Sequence, residues 1–345
     1  MPRSLRCSVL GFHPSRLLFC AWIVCCSGAI APAAAAPLRV ATFRVDVTPP
    51  VGSPLCGGWI MPMIAIDDPL WAKGVVIEDG DQRYVLCAVD YCEIRNRSHD
   101  DIRRALAAAA GTTAAHVAVQ CLHQHNAPLI DEPAQDLLNA SAKSLPSLDV
   151  AHWHKVMADV AAAVRQATEK LQPCDGLAVG LGQVERFASS RRVKTPDGKI
   201  EVRYSSTKSE ALHAAPEGLI DPQLRTITFM AGKKPLVRLH YYATHPQSYY
   251  GDGRVSCDTV GLARERIEAE EGVPQIYFTG CAGDVTAGKY NSGTPAERVE
   301  LTDRLAAGIR AAIAASRPVA IGPIEWRTTE LTLPQRLDPP YTLAD

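Results

Sequence analysis

His123-Gln124-His125 closes an apolar run, His116-Val117-Ala118-Val119-Gln120-Cys121-Leu122, that is rich in β-branched residues and reads as a buried strand. Side chains alternate faces in an extended chain. His123 and His125 are therefore expected to point the same way, with Cα atoms about 6.5–7 Å apart. Asn126-Ala127-Pro128 follows and must end the strand. Two imidazoles projecting from a strand end are the beginning of a metal site, but zinc takes four ligands. A second histidine, in Tyr241-Tyr242-Ala243-Thr244-His245-Pro246, again stands where an apolar strand runs out. Loops close over such strand ends, where sheet proteins present reactive groups.

A third group of residues is Gly280-Cys281-Ala282-Gly283-Asp284-Val285-Thr286, a turn of small residues that follows a strand. Such a turn exposes backbone N–H groups and lets a substrate approach the chain. Within it, Asp284 offers a carboxylate and Thr286 a hydroxyl. Gly283 to Lys289 matches the start of a phosphate-binding loop, but Tyr290 stands where Ser or Thr is required and no helix opens there. Asp258, in Ser256-Cys257-Asp258, is either a helix cap or a site carboxylate. Arg191-Arg192 lies in a polar turn. His99, His152, His154, His213 and His240 show no ligand spacing and are read as packed or solvated residues. The chain has no GxSxG elbow and no HExxH helix, which argues against serine α/β-hydrolases and the common zincins.

The elements that must position these groups mix strands and helices. Strands are expected over Leu38–Val47, Gly74–Glu78, Tyr84–Val89, Val117–Leu122, Leu177–Glu185, Leu224–Met230, Leu236–Tyr242, Gln275–Thr279 and Ile324–Leu333. Gly80-Asp81 and Pro196-Asp197-Gly198 mark hairpin turns. Ser98 is expected to cap a helix ending near Gly111, and Asp149 one that runs through Leu171. A helix over Asp258–Glu271 should stop at Gly272. Thr294-Pro295-Ala296-Glu297 is a capping box opening a helix to about Ser316. This order is neither a clean βαβ alternation nor all-β. It predicts an α/β fold of the α+β type, with mixed β-sheets layered between α-helices.

The 345 residues are 47% hydrophobic, enough for a substantial core. Residues 1–36 read as a cleaved export signal. They carry Arg3, Arg6 and Arg16, a short apolar stretch from Leu17 to Val24, and the small-residue run Ala33–Ala36. Export places the protein in the periplasm or outside the cell, and residues 37–345 form one catalytic-size domain. The leader holds three Arg and no acid, so the formal charge of −1 becomes −4 without it, and no basic surface points to nucleic acid. Seven of the 11 cysteines lie beyond the leader, an odd number with no CxxC, which argues against a disulfide framework and a cysteine zinc site. The final Asp338–Asp345 stretch stops on no recognisable element, as expected of a domain incomplete at its C-terminus.

In order and spacing, these segments resemble the catalytic domain of the neutral/alkaline, non-lysosomal ceramidases, from Phe43 to about Ala312. Val45-Asp46-Val47-Thr48-Pro49-Pro50 is similar to that family's opening D-[IV]-T segment, and Ala72–Glu78 to its A-R-A-x-V-I-E strand. Leu122–Pro128 stands where the family has T-H-T-H-S-G-P, and Gly218–Gln223 resembles G-I-D-P-Q. Ala243–Ser248 is similar to A-T-H-S-T-S, Val255–Gly261 to S-x-D-x-x-G, and Ala282–Thr286 to A-G-[DN]-x-S.

The resemblance implies that His123 and His245 are zinc ligands and that His125 is a neighbouring or substrate-contacting imidazole. It places Arg191 near a site-lining arginine and Thr286 where the family has its catalytic serine. It also implies that a Glu and a Tyr past position 345 complete the zinc shell. The implied activity is zinc-dependent hydrolysis of an amide bond, N-acylsphingosine or a related N-acyl lipid giving a fatty acid and an amine. His125 and Arg191 would stabilise the oxyanion, and Thr286 would attack or hydrogen-bond the substrate. Asp284 joins that catalytic group, while Asn126, Asp258 and Gly283 are expected to contact substrate. The partner is thus a small-molecule or lipid amide, with Zn2+ as cofactor. The apolar loop Trp59–Ile64 is either core packing or a contact for an acyl chain, and contact with a membrane surface is a further expectation for the protein. The sequence sets no oligomeric state. A non-catalytic lipid- or glycan-binding protein and a metallo-esterase are the alternatives on the same fold.

Overall fold

A computed structural model describes residues 38–141, 146–334 and 337. The leader and the final residues lie outside this range. The first sheet contains β1 (Leu38–Asp46), β2 (Trp71–Asp79), β3 (Gln82–Val89), β4 (Val117–Cys121) and β5 (Gln172–Cys174), in spatial order β4-β3-β2-β1-β5. The second contains β6 (Gly176–Gln183), β7 (Gln223–Ala231), β8 (Lys234–Tyr242), β9 (Gln275–Thr279) and β10 (Arg317–Val319), in order β9-β8-β7-β6-β10. Each sheet is antiparallel except at one edge, where β3 pairs with β4 and β8 with β9 in parallel. The expected α/β character with mixed sheets is therefore present.

The helices are α1 (Asn96–Ala110), α2 (Glu132–Ala140), α3 (Val150–Thr168), α4 (Glu210–Ala214), α5 (Asp258–Glu271) and α6 (Pro295–Ala314). Helices α1 and α3 cover the outer face of the first sheet, and α5 and α6 cover the second. One core cluster fills the space between the first sheet and α1/α3, around Phe43, Val76, Ile102, Trp153 and Val160. The other joins the facing sheets to α6, around Val75, Leu239, Tyr277, Leu305 and Ile309. The result is a four-layer sandwich, and burial of these apolar faces drives it.

Local chemistry sets most boundaries. The capping box at Thr294 and Glu297 is formed, and the Asp149 carboxylate accepts from the His152 N–H. Gly272 ends α5 at φ 64°, a conformation that costs glycine little. Four expectations need correction. Ser98 lies inside α1 rather than capping it, and its hydroxyl accepts from the Glu132 N–H at the start of α2. Helix α3 ends at Thr168, because the chain turns into edge strand β5, where Pro173 lacks only an unneeded donor. Ile324–Leu333 forms no strand, although its alternation suggested one. Trp326 stacks on Tyr84 at 5.3 Å, but Leu331 and Leu333 are 77% and 76% exposed, and the chain pairs instead at Arg317–Val319. Strand β4 stops at Cys121, two residues before His123.

Candidate metal centre and cleft

The site lies where the parallel edges of the two sheets meet. Gln120 and Thr279 tie β4 to β9 through two hydrogen bonds of 2.8 and 2.9 Å, and the Thr279 hydroxyl donates to the Leu122 carbonyl at 3.1 Å. Past Cys121 the chain still follows β3, with Leu122 N–H on Val89 O and His123 N–H on Tyr91 O. His123 then adopts φ 77°, a left-handed turn rare for a non-glycine residue. Turning, rather than strand alternation, gathers the histidines. Gln124 holds the turn from within, its amide donating to Asp90 at 2.9 Å.

His245 arrives from the end of β8, its N–H on Val285 O at 2.9 Å and its backbone bridged to Thr286. The ring centroids of His123 and His245 are 4.5 Å apart, those of His123 and His125 4.9 Å, and those of His125 and His245 5.1 Å. The Nε2 atoms of His125 and His245 stand 3.0 Å apart. Burial depresses the His123 pKa. Burial, with Arg191 nearby, brings that of His245 down to about 3. Both rings are therefore neutral at physiological pH, the state in which imidazole binds metals.

Hydrogen bonds fix the tautomers. His123 Nδ1 lies 2.9 Å from the Cys92 carbonyl, and His245 Nδ1 lies 3.3 Å from the Ala282 carbonyl. Each Nδ1 must carry the hydrogen, which leaves each Nε2 as an acceptor. His125 is the reverse case. Gln247 accepts at Oε1 from Ser205 and, at 3.5 Å, from Arg191, so its Nε2 donates to His125 Nδ1 at 3.2 Å. His125 then carries its hydrogen on Nε2 and presents a donor. The donor set of neutral nitrogens fits a borderline ion such as zinc.

Arg191 leaves the short strand Ser189–Ser190 and reaches the Gly283 carbonyl at 3.4 Å and Ser205 at 3.2 Å, while its buried Nε has no partner among the described residues. Thr286 pairs with Ser189, is wholly buried, and has no hydrogen-bond partner for Oγ1 among the described residues. Asp284 accepts from the Ser190 hydroxyl at 2.9 Å. Asn126 is buried, accepting from Gly251 N–H at 2.9 Å while its Nδ2 has no partner among the described residues. Asp258 is buried at the start of α5, and its carboxylate accepts from the Ser248 N–H and hydroxyl and from the Thr259 N–H. An open cleft of about 450 Å³ is lined by His123, His245, Gly283 and Glu93. His125, Thr286, Arg191, Asp284, Asn126 and Asp258 lie off its lining.

Sequence reading gave no role to Cys56, Cys92, Gln247 or Tyr250. The ligand atoms of Cys92, His123 and His125 all lie within 4.8 Å of one another, so sulfur belongs to this cluster despite the missing CxxC. The parallel pairing of β3 with β4 sets Cys92 beside His123, a proximity no local spacing encodes. The Tyr250 ring stands 5.2 Å from His125. The five histidines read as structural are engaged outside the cluster, His240 between Thr226 and Gln275 and His154 with Glu132.

The fold is ceramidase-like. A structure of neutral ceramidase from Pseudomonas aeruginosa matches with a TM-score of 0.62 at 17% identity, covering 81% of this chain and 45% of that one. A ceramidase complexed with C2 matches with a TM-score of 0.61, also at 17% identity, covering 81% of this chain and 44% of the other. The chain thus spans under half the length of these proteins. No protein-family model matches it, and no curated protein matches it in sequence.

Proposed function

We propose that the chain is a zinc-dependent hydrolase of amide bonds that converts an N-acyl lipid of the N-acylsphingosine class to a fatty acid and an amine. The observation that carries this reading is the tautomer pattern, two Nε2 atoms without a hydrogen (His123, His245) beside one Nε2–H donor (His125), which rests on His245 Nε2 at 3.0 Å. His123 and His245 would hold the ion. A zinc ion held there supplies Lewis acidity, polarising an amide carbonyl and acidifying the attacking water. His125 donates its Nε2 hydrogen to the developing oxyanion, and Gln247 keeps that hydrogen in place. Arg191, fixed by Ser205 and Gln247, adds positive field. The complete burial of Thr286 supports a role in shaping the turn, with water as nucleophile. Asp284 holds that turn to Ser190, and Gly283 lets substrate approach the backbone. Asn126 offers its unpaired amide from below, and Asp258 steadies the Ser248 loop.

The lipid class draws support from the apolar loop, whose packing against the core holds only in part. Met63 is buried, but Trp59 is 81% exposed and Met61 and Ile64 stand beside it in solvent. This loop abuts Gly253, three residues from Tyr250 at the imidazoles. An exposed apolar loop of this kind suits contact with an acyl chain at a membrane surface. No described helix is long and apolar enough to cross a membrane. Export by the leader would put the enzyme where such lipids face it.

Zinc content and hydrolysis of matched acyl amides and acyl esters by wild type and His245→Ala test the proposal. The expected result is amide turnover and a zinc ion at the histidine pair in the wild type, with turnover and that one ion per chain lost in the variant. Equal zinc and equal turnover in the variant would refute it. The burial of Thr286 favours one competing reading, a lipid-binding protein without turnover, which the same assay would reveal as binding without product.

A further inference from the structure

Two thiols lie against the imidazole cluster and take no part in the chemistry above. Cys56, in the turn Cys56–Gly58, and Cys92, just past β3, place their Sγ atoms 3.7 Å apart. Cys56 Sγ is 3.9 Å from His125 Nδ1, and Cys92 Sγ is 3.9 Å from His123 Nδ1. Both cysteines are buried and neither is in a disulfide. Cys56 sits at φ 47°, a region that costs a non-glycine residue free energy, and its N–H bonds to Ala127 O in the histidine loop. That strained turn aims one thiol at the other.

The spacing has a chemical meaning. Zinc–sulfur bonds of about 2.3 Å and zinc–nitrogen bonds of about 2.0–2.1 Å at tetrahedral angles put two sulfurs about 3.8 Å apart, and a sulfur and a nitrogen about 3.6 Å apart. The two thiols and His125 Nδ1 come within a few tenths of an ångström of this along both edges that meet at Cys56 Sγ. We propose that Cys56 Sγ, Cys92 Sγ and His125 Nδ1 form a second, thiophilic metal site for a borderline-soft divalent ion of the zinc class. Occupancy replaces the Gln247 hydrogen bond at Nδ1 and leaves the hydrogen of His125 on Nε2. The donor role proposed for that nitrogen is therefore preserved, and the thiol site uses neither His123 nor His245 Nε2.

Titration of the full chain with Co2+ tests the site. Wild type should show a near-ultraviolet sulfur-to-cobalt charge-transfer band together with visible d–d bands. The Cys56→Ser/Cys92→Ser double variant should lose the charge-transfer band and one bound ion per chain while keeping visible bands from the histidine pair. His245→Ala should do the opposite, so failure of the hydrolase reading and failure of the thiol site give different spectra. Cobalt binding to wild type without the charge-transfer band, or its survival in the double variant, would overturn the proposal. If the double variant does not fold, zinc-edge X-ray absorption of loaded wild type decides instead. A sulfur shell at about 2.3 Å is expected, and nitrogen and oxygen scatterers alone would overturn the site.

Discussion

At the scale of single residues, the account depends on which nitrogen of each imidazole carries a hydrogen. Gln247 sets this for His125, and its own orientation is set by Ser205 and Arg191. With the thiol site free of metal, Gln247→Leu should therefore lower kcat about 10–100-fold while zinc at the histidine pair is retained, because partners behind a site residue typically contribute that much. Kinetics paired with elemental analysis would check it, and a loss of zinc equal to the loss of rate would contradict it. The histidines themselves were legible because strand-end imidazoles stand out in sequence. Their geometry was not, since it depends on the left-handed turn at His123 and on Gln124 reaching Asp90. Gln247 sat two residues from His245 in a segment already singled out, but nothing in its spacing gave it a task.

At the scale of elements, close packing of α6 on β6 explains two glycines. A Cβ at Gly180 would fall 1.9 Å from the Ala312 carbonyl, and one at Gly182 would fall 2.3 Å from that of Gly308. Gly180→Ala should cost about 1–3 kcal/mol in denaturant melts through overpacking, and an unchanged midpoint would contradict the close approach. Inside β8, burial holds the His240 imidazole down at about 4, against an ordinary value of 6.5. The unfolded chain binds that proton more readily. The stabilising contribution is thus complete above about pH 6.5 and is lost as pH falls toward 4, by up to roughly 3 kcal/mol. His240→Gln should flatten the change in urea midpoint between pH 7 and pH 5, and an identical slope would count against it. Strands and helices with apolar periodicity and capping residues were read from sequence to within a few residues. Ile324–Leu333 failed because alternation alone does not supply a neighbouring strand edge.

At the scale of the whole molecule, one buried ion pair links the first sheet to the helix layer over the second. Arg264 on α5 meets Asp90, just beyond β3, through two hydrogen bonds of 2.8 and 3.0 Å, and both side chains are fully buried. The same carboxylate holds Gln124 between the two histidines. Asp90→Ala would strand the guanidinium and should cost about 3–5 kcal/mol while weakening metal retention, measurable by melting and dialysis. No sequence pattern joined positions 90, 124 and 264, because only the packed layers bring them together. The central claim is that these layers set His123 and His245 around one ion. Anomalous scattering at the zinc edge from crystals of the full chain tests it most directly. The account predicts a peak about 2.0–2.1 Å from both His123 Nε2 and His245 Nε2. A zinc-loaded crystal with no density between those two nitrogens would contradict it.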